Sequence, residues 1–303
     1  MNSNQTSVSV IIPAYNEEKS IRNVINRIGK AFEKLSVNYE IIVINDGSED
    51  STSQEARKSC YPIRLIEHEQ NRGYGSAIKT GIKVSKYPWI IIIDADGSYP
   101  EHEIVELVRL ATENDFDMVV GARTKKDTGS TVMRRIAKFF LTKLANYLTG
   151  TKIPDINSGL RILKKDIVNK FISILPDTFS FTTTITLAML TNGYKVMYYP
   201  IEYYKRIGKS KINPIVDLFN FLQLIIRTVI YFDPLKVFLP VSLILFLMAV
   251  VAFIIREIRG GGMAITIVIF LMSSLHMLAI GMLADLIDKR LKVKQKDEER
   301  SIL

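Results

Sequence analysis

The sequence predicts an α/β domain built on a doubly wound, mostly parallel sheet, followed by an amphipathic helix and two membrane-spanning helices. Three observations lead to this fold class. Short apolar runs alternate with helix-like segments over the first 125 residues, two long stretches near the end carry no charge, and basic residues flank those stretches. Such a chain is long enough for one medium-sized domain with a proper core and a smaller second part.

Five short runs rich in β-branched residues predict strands that are buried on both faces of the sheet, at residues 8–12, 39–45, 63–67, 89–93 and 118–121. Helix-like segments fall between them, at residues 20–34, 51–59, 76–84 and 103–113. This alternation implies right-handed βαβ units. Ligands bind beyond the carboxyl ends of the strands in such sheets, so we expect the functional residues there. The stretch 126–211 is less regular.

The uncharged stretches 237–255 and 263–284 match the ~20 residues needed to cross a bilayer. Before them, residues 215–231 carry polar side chains at intervals of three or four, which predicts an amphipathic helix lying on the membrane; a core helix of the first domain is the alternative. The predicted division is therefore 1–211 for the α/β domain, 212–234 for the juxtamembrane helix, 235–288 for a transmembrane hairpin and 289–303 for a basic tail.

The charge distribution predicts the orientation of the hairpin. The only basic residues in its loop are Arg256 and Arg259, whereas Lys and Arg are frequent in the tail and before the first span. By the positive-inside rule, the α/β domain and both termini are expected to be cytoplasmic. The net charge of +9 is then explained by attraction to anionic lipid headgroups, and nucleic-acid binding is not expected.

Two further residues bear on compartment and assembly. A single cysteine, Cys60, excludes an internal disulfide and fits a reducing compartment. His276 lies inside the second span, and polar groups within membranes usually face protein, so we expect contact with another subunit of a homo-oligomer.

Carboxylates follow two of the predicted strands. Asp94 and Asp96 come directly after the run 89–93, where buried charges are costly unless they are paired or hold a cation. Mg²⁺ or Mn²⁺ binds one or two carboxylates together with phosphate and water, so this pair predicts a metal–diphosphate site. Asp46 directly follows the run 39–45 and can accept hydrogen bonds from a nucleobase or ribose, whereas Asp50 and Ser51 are explained as helix caps.

Four segments, 10–18, 43–52, 71–75 and 94–96, resemble in order and spacing the motifs of family-2 glycosyltransferases with a GT-A fold. The resemblance implies a nucleotide-sugar donor bound by Pro13, Tyr15, Glu17, Asp46 and Asp94. It also implies that Asp94 and Asp96 hold Mg²⁺ or Mn²⁺ and that Asp96 is catalytic.

Later motifs at 121–123, 134–135, 155–161 and 206–211 resemble those of the dolichol-phosphate mannose synthase-like branch, whose members transfer a sugar to polyprenyl phosphates. Asp155 is expected to be catalytic, either by acting near the sugar or by orienting the acceptor loop. This resemblance assigns the acceptor phosphate to Arg123, Arg134, Lys138, Ser158, Arg206, Ser210 and Lys211. Arg135 stays an alternative to Arg134, Lys138 stands where the branch often has Ser, and Ser98 stands where it often has Gln.

The implied function is transfer of a hexose from a UDP- or GDP-linked donor to polyprenyl or dolichyl phosphate at the cytosolic membrane face. A lipid phosphate is largely a dianion at pH 7, so it needs charge neutralisation rather than a general base, and we expect a single displacement with inversion. The alternatives are another acceptor, such as a glycolipid or diacylglycerol, and a non-catalytic membrane scaffold, which would have no use for the carboxylates.

Overall fold

The computed structural model describes residues 6–35, 37–123, 142–143, 145–147, 149–204, 234–261 and 264–302. It confirms the predicted α/β class with a seven-stranded mixed sheet of order β3-β2-β1-β4-β6-β5-β7. The strands are β1 Ser7–Ala14, β2 Asn38–Asn45, β3 Arg64–Glu67, β4 Trp89–Ile92, β5 Met118–Arg123, β6 Arg161–Lys164 and β7 Val196–Ile201. The helices whose bounds lie within the described residues of this domain are α1 Ile21–Phe32, α2 Thr52–Arg57, α3 Tyr74–Val84, α4 Ile104–Glu113, α5 Lys165–Phe171 and α6 Phe181–Thr191.

The first half of the sheet is parallel, as the alternating pattern predicts. β1 lies between β2 and β4, and Val10 pairs with Ile41 on one side and Ile91 on the other. β3 extends this half beyond β2, also in parallel. Because all four strands point the same way, their carboxyl ends meet at one edge of the sheet.

Beside the predicted strand β5, the second half contains two strands that the sequence pattern did not reveal, β6 and β7. β6 runs antiparallel to both of its neighbours, β4 and β5, and β7 pairs in parallel with β5 at the edge of the sheet. The reversal brings the amino end of β6 to the same edge as the carboxyl ends of β4 and β5. The segment before β6 therefore joins the edge where ligands are expected.

Apolar side chains bury both faces of the sheet. On one face, α1 and α4 pack over alternate residues of β1, β2 and β4, including Val10, Val43 and Ile91. On the other face, α3, α5 and α6 cover the intervening residues, such as Ile11 and Ile92. Burial on both faces explains why the strands read as continuous apolar runs.

The C-terminal part contains two long helices, α7 Leu235–Ile258 and α8 Ile265–Ile302. α7 and the segment Ile265–Ile287 of α8 are long and apolar enough to cross a membrane. The hydroxyls of Ser242 and Ser274 each donate to the backbone carbonyl of the other residue at 2.9 Å. Such reciprocal bonds between small residues are typical of helices that pack closely in lipid.

The chain divides into two compact units, Met1–Leu218 and Phe219–Leu303. The predicted juxtamembrane helix at 215–231 lies outside the described residues. α8 continues to Ile302, so the predicted tail is helical. His276 is exposed on α8 in the second unit, and its contact with another subunit stays a prediction.

Candidate active site

The predicted residues that the structure describes meet at one edge of the sheet. Asp46 follows β2, Tyr15 and Glu17 follow β1, and Asp94 and Asp96 follow β4. Arg123 ends β5, while Asp155 and Ser158 precede the antiparallel strand β6. This shared edge is a consequence of strand direction, and it is where open α/β sheets bind their ligands.

Asp46 is a buried carboxylate that three donors orient. Its Oδ1 is 2.6 Å from His68 Nδ1 and accepts the backbone N–H of Arg72 at 3.0 Å, while Oδ2 accepts the backbone N–H of Gly73 at 2.8 Å. The other ring nitrogen of His68 lies 2.9 Å from Thr80 Oγ1. The segment before α3 is therefore bound to the end of β2 through Asp46.

The residues predicted at the end of β1 have different settings. Pro13 is buried within the strand, and Tyr15 is half-buried just beyond it. The backbone N–H of Glu17 donates to Thr52 Oγ1 at 2.8 Å, and its carboxylate accepts from Ser20 Oγ at 3.2 Å. Glu17 thus helps to join the start of α1 to the start of α2, and its role toward a nucleotide stays a prediction.

Asp94 and Asp96 are held by side chains that fix the direction of their carboxylates. Tyr74, the first residue of α3, donates its hydroxyl to Asp94 Oδ1 at 2.8 Å. Burial, and then the charge of Asp94, raises the pKa of Tyr74 well above its usual range, so it remains a donor. Ser98 donates its backbone N–H and its hydroxyl to Asp96 Oδ1, at 3.0 and 2.5 Å.

These two carboxylates have the composition expected of a site for Mg²⁺ or Mn²⁺ with a diphosphate. Hard divalent cations use one or two carboxylates when phosphate oxygens and water complete the shell. No group of three or more metal-ligating side chains occurs within the described parts of the chain. The backbone of Gly159 also passes so close that a Cβ there would lie 2.2 Å from Asp94 Oδ2.

Asp155 and Arg123 form a bidentate ion pair. Arg123 Nε and Nη2 donate to the two oxygens of Asp155 at 2.6 and 2.8 Å, and the guanidinium lies over the ring of Tyr203, 5.2 Å from its centroid. Burial works to lower the pKa of Arg123, but the hydrogen bonds and charge of Asp155 outweigh it, and the net shift is upward. A phosphate at this point would share Arg123 with Asp155.

Hydrogen bonds to β5 and to Tyr99 fix the segment between Asp155 and β6. Ser158 is fully buried, and its hydroxyl donates to the backbone carbonyl of Gly121 at 2.5 Å, so in this structure it connects the segment to β5. Gly159 donates its backbone N–H to the hydroxyl of the buried Tyr99 at 2.6 Å. The assignment of Ser158 to the acceptor phosphate stays a prediction.

Arg161 is a fully buried arginine under this segment, with 0% of its surface exposed. Its guanidinium donates to the backbone carbonyls of Ser158 and Thr182 and to Thr186 Oγ1. Burial lowers its pKa. The groups that accept these hydrogen bonds are uncharged carbonyl and hydroxyl groups. The guanidinium therefore places a positive charge beneath the acidic edge of the sheet.

Glu101 is another buried titratable group near the site, with 2% of its surface exposed. Arg27 Nη2 is 3.1 Å from its Oε1, but the geometry is that of an ion pair without a directed hydrogen bond. Burial raises the pKa of Glu101 to about 7; Arg27 opposes this shift, and the negative charge of Asp96 adds to it.

The remaining predicted acceptor residues, Arg134, Lys138, Arg206, Ser210 and Lys211, lie outside the described residues. Sequence reasoning missed the roles of Tyr74 and Arg161. Tyr74 and Arg161 lie inside the motifs at 71–75 and 155–161, but nothing in the sequence indicates their contacts. The sequence alone favours a structural or solvated role for His68, and the structure places it against Asp46.

Comparison with known proteins identifies two matching family models. Residues 9–172 match "Glycosyl transferase family 2", and residues 233–289 match "GtrB C-terminal hairpin". The first match includes the sheet through β6 and the acidic edge. The second coincides with α7 and the apolar part of α8.

Individual relatives agree with these matches. The chain is 28% identical to the undecaprenyl-phosphate 4-deoxy-4-formamido-L-arabinose transferase of Proteus mirabilis over 302 residues, 93% of this chain and 88% of the relative. It is also 28% identical to the dolichyl-phosphate hexose transferase of Haloferax volcanii over 210 residues, 68% of this chain and 87% of the relative. Among solved structures, glucosyl-3-phosphoglycerate synthase from Mycobacterium tuberculosis shares the fold, with a TM-score of 0.59 at 21% identity over 75% of this chain and 80% of that one.

Proposed function

Since this chain belongs to glycosyl transferase family 2, we propose that it transfers a hexose from a nucleoside diphosphate to a polyprenyl phosphate at the membrane surface. The observation that carries this proposal is that one chain combines an edge of oriented carboxylates with two helices of membrane-spanning length. The relatives named as undecaprenyl- and dolichyl-phosphate sugar transferases support the choice of acceptor.

On the donor side, Asp46 binds the nucleoside, together with Pro13, Tyr15 and Glu17. Asp94 and Asp96 hold a divalent cation, which when bound acts as a Lewis acid on the departing diphosphate. The M. tuberculosis synthase has been crystallised with Mn²⁺ and UDP, which supports this expectation. Tyr74 and Ser98 hold the carboxylates in place before the donor arrives.

On the acceptor side, Arg123 and the predicted cations at 134, 138, 206 and 211 bind the lipid phosphate, with Ser210. Both oxygens of Asp155 contact Arg123, so we assign Asp155 to positioning that guanidinium rather than to proton abstraction. A phosphate dianion carries its own nucleophilic electron pair and needs no base. Charge neutralisation and alignment are what this site has to provide.

The proposed reaction is a single displacement. A phosphate oxygen of the lipid forms a bond to the anomeric carbon as the bond from that carbon to the donor diphosphate breaks. The nucleoside diphosphate leaves with the electron pair, no proton is transferred, and the anomeric configuration inverts. The hairpin keeps the enzyme in the membrane that contains the acceptor, with the α/β domain on the cytoplasmic side according to its basic flanks.

The test uses the full-length chain in lipid nanodiscs with polyprenyl phosphate and a panel of radiolabelled UDP- and GDP-sugars, with Mg²⁺, Mn²⁺ or EDTA. We expect label in the lipid product from one donor, and its loss on chelation. Asp96→Asn should abolish transfer, while Asp115→Asn, a change at an exposed carboxylate that pairs with Lys164 and Lys195, should leave it unchanged.

Three results would contradict parts of this proposal. Full activity of Asp96→Asn would contradict the metal site. Label in diacylglycerol or a glycolipid, with none in polyprenyl phosphate, would replace the acceptor. Lack of nucleotide binding under every condition would favour a membrane scaffold.

A further inference from the structure

Phe179 is an exposed aromatic residue close to the acidic edge. It lies between α5 and α6, and 76% of its surface is exposed, more than for any other large apolar side chain described outside α7 and α8. The neighbouring Asp177, Thr178 and Ser180 are polar. Single exposed apolar residues are common on protein surfaces, so the argument for a role of Phe179 depends on how its ring is held and where it lies.

The backbone that presents Phe179 is fixed rather than loose. The backbone N–H groups of Gly75 and Ser76 donate to the carbonyl of Asp177 at 2.8 and 3.2 Å. Lys79 Nζ pairs with Asp177 Oδ1 at 2.8 Å. At Gly75, a Cβ would collide with the backbone of this segment, so only glycine permits this contact. The start of α3 therefore holds the segment in place.

The ring of Phe179 is also aligned with the donor side of the site. It stacks on Tyr74, with ring centroids 5.2 Å apart and an angle of 17° between the planes. Tyr74 in turn donates its hydroxyl to Asp94. One face of Phe179 thus lies on a residue that contacts the proposed metal–diphosphate site, and its other face is open.

We propose that Phe179 binds the transferred sugar by stacking its open face on the apolar C–H face of that sugar. This inference rests on the proposed function, because it assumes a sugar attached to the diphosphate at Asp94. A sugar offers polar groups at its rim and C–H groups on its face, which matches a single ring with polar neighbours. An isoprenoid tail would need a continuous apolar surface, which the polar residues beside Phe179 do not provide.

The test separates the sugar from the nucleotide by measuring binding rather than transfer. Isothermal titration calorimetry on the full-length protein in nanodiscs would give Kd values for UDP, GDP, UDP-glucose and GDP-mannose in the presence of Mn²⁺. Phe179→Ala should weaken the nucleotide-sugar that binds wild type about tenfold and leave the matching free diphosphate within about twofold. Phe179→Trp should retain affinity, and Phe179→Leu should resemble Ala if an aromatic face is needed.

The matched control is Tyr87→Ala, which removes a partly exposed aromatic residue from just before β4, at the opposite edge of the sheet. It should change neither Kd. Melting temperatures of all variants would show that the fold is intact. An equal loss for the free diphosphate and the nucleotide-sugar would overturn the inference, because Phe179 would then act on the diphosphate through Tyr74. A change confined to the KM for the lipid would overturn it in favour of an isoprenoid contact.

Failure of this inference is distinguishable from failure of the proposed function. If Phe179→Ala weakens nucleotide-sugar binding alone but no polyprenyl phosphate is labelled, the acceptor is wrong and the role of Phe179 stands. If polyprenyl phosphate is labelled and Phe179→Ala binds the nucleotide-sugar like wild type, only the role of Phe179 is refuted.

Discussion

The backbone of Gly159 passes close to the proposed metal site, and Gly159→Ala tests whether that closeness matters. A Cβ at this position would lie 2.2 Å from Oδ2 and 2.5 Å from Cγ of Asp94. The backbone of Gly159 does not have the left-handed conformation that disfavours other residues. Alanine is therefore compatible with the local backbone, and the added methyl group acts only through its collision with Asp94.

The size of the effect follows from the distances. A van der Waals contact requires the carboxylate and the methyl group to separate by about 1 Å more. If Asp94 moves, the 2.8 Å hydrogen bond that it accepts from Tyr74 is strained. If Gly159 moves instead, the 2.6 Å hydrogen bond that its N–H donates to Tyr99 is strained. A displacement of about 1 Å in a reacting group costs about a hundredfold in rate. Overpacking of this kind lowers the free energy of unfolding by about 1–3 kcal/mol.

The assay compares initial rates of sugar transfer and melting temperatures for the full-length variants. The control is Gly193→Ala, between α6 and β7, where φ is +77° and no atom lies within 4 Å of the position that the added methyl group would take. Gly193→Ala carries about 1–2 kcal/mol of backbone strain but should retain the wild-type rate. A rate for Gly159→Ala within twofold of that for Gly193→Ala would refute the reasoning.

Three other substitutions test separate parts of the site. Arg161→Met should lower the free energy of unfolding by about 3 kcal/mol, measured by denaturant titration, because it leaves buried carbonyls such as that of Ser158 without a donor. Asp46→Asn should weaken UDP or GDP binding at least about tenfold by calorimetry, because an amide cannot accept all the bonds that the carboxylate accepts; Asp115→Asn is the control. Glu101→Gln should remove a pH dependence of the free energy of unfolding. The pKa of Glu101 is about 7 in the folded protein and 4.5 in the unfolded chain, so the wild-type free energy of unfolding falls by up to about 3 kcal/mol as pH rises through this range. Parallel stability curves for wild type and Glu101→Gln between pH 4.5 and 8 in EDTA would contradict this.

The donor half of the site could be predicted from the sequence because its determinants are local. β1, β2 and β4 contain near-continuous apolar runs, and the carboxylates predicted to be functional follow these strands closely. Parallel pairing then brings Asp46, Asp94 and Asp96 to one edge without any further information. The fold class and the location of this half therefore follow from periodicity and strand direction.

The acceptor half could not be predicted in the same way because long-range contacts determine it. β6 has only four residues and begins with the buried cation Arg161, so it does not read as a core strand. Its antiparallel direction depends on pairing with β4 and β5. The ion pair between Arg123 and Asp155 joins residues 32 positions apart. Phe179 is presented by contacts with α3, about a hundred residues earlier in the chain.

The two halves of the edge orient their carboxylates by different means, and the difference indicates different ligands. Tyr74 and Ser98 direct Asp94 and Asp96 with hydroxyl and N–H groups, which are uncharged donors. Arg123 directs Asp155 with a full positive charge, so that pair is neutral as a unit. A divalent cation, as proposed, would take the carboxylates of Asp94 and Asp96 as ligands, whereas a phosphate at Arg123 would share its guanidinium with Asp155. The proposed reaction uses both, with a metal-bound diphosphate on one side, a lipid phosphate on the other and the anomeric carbon between them.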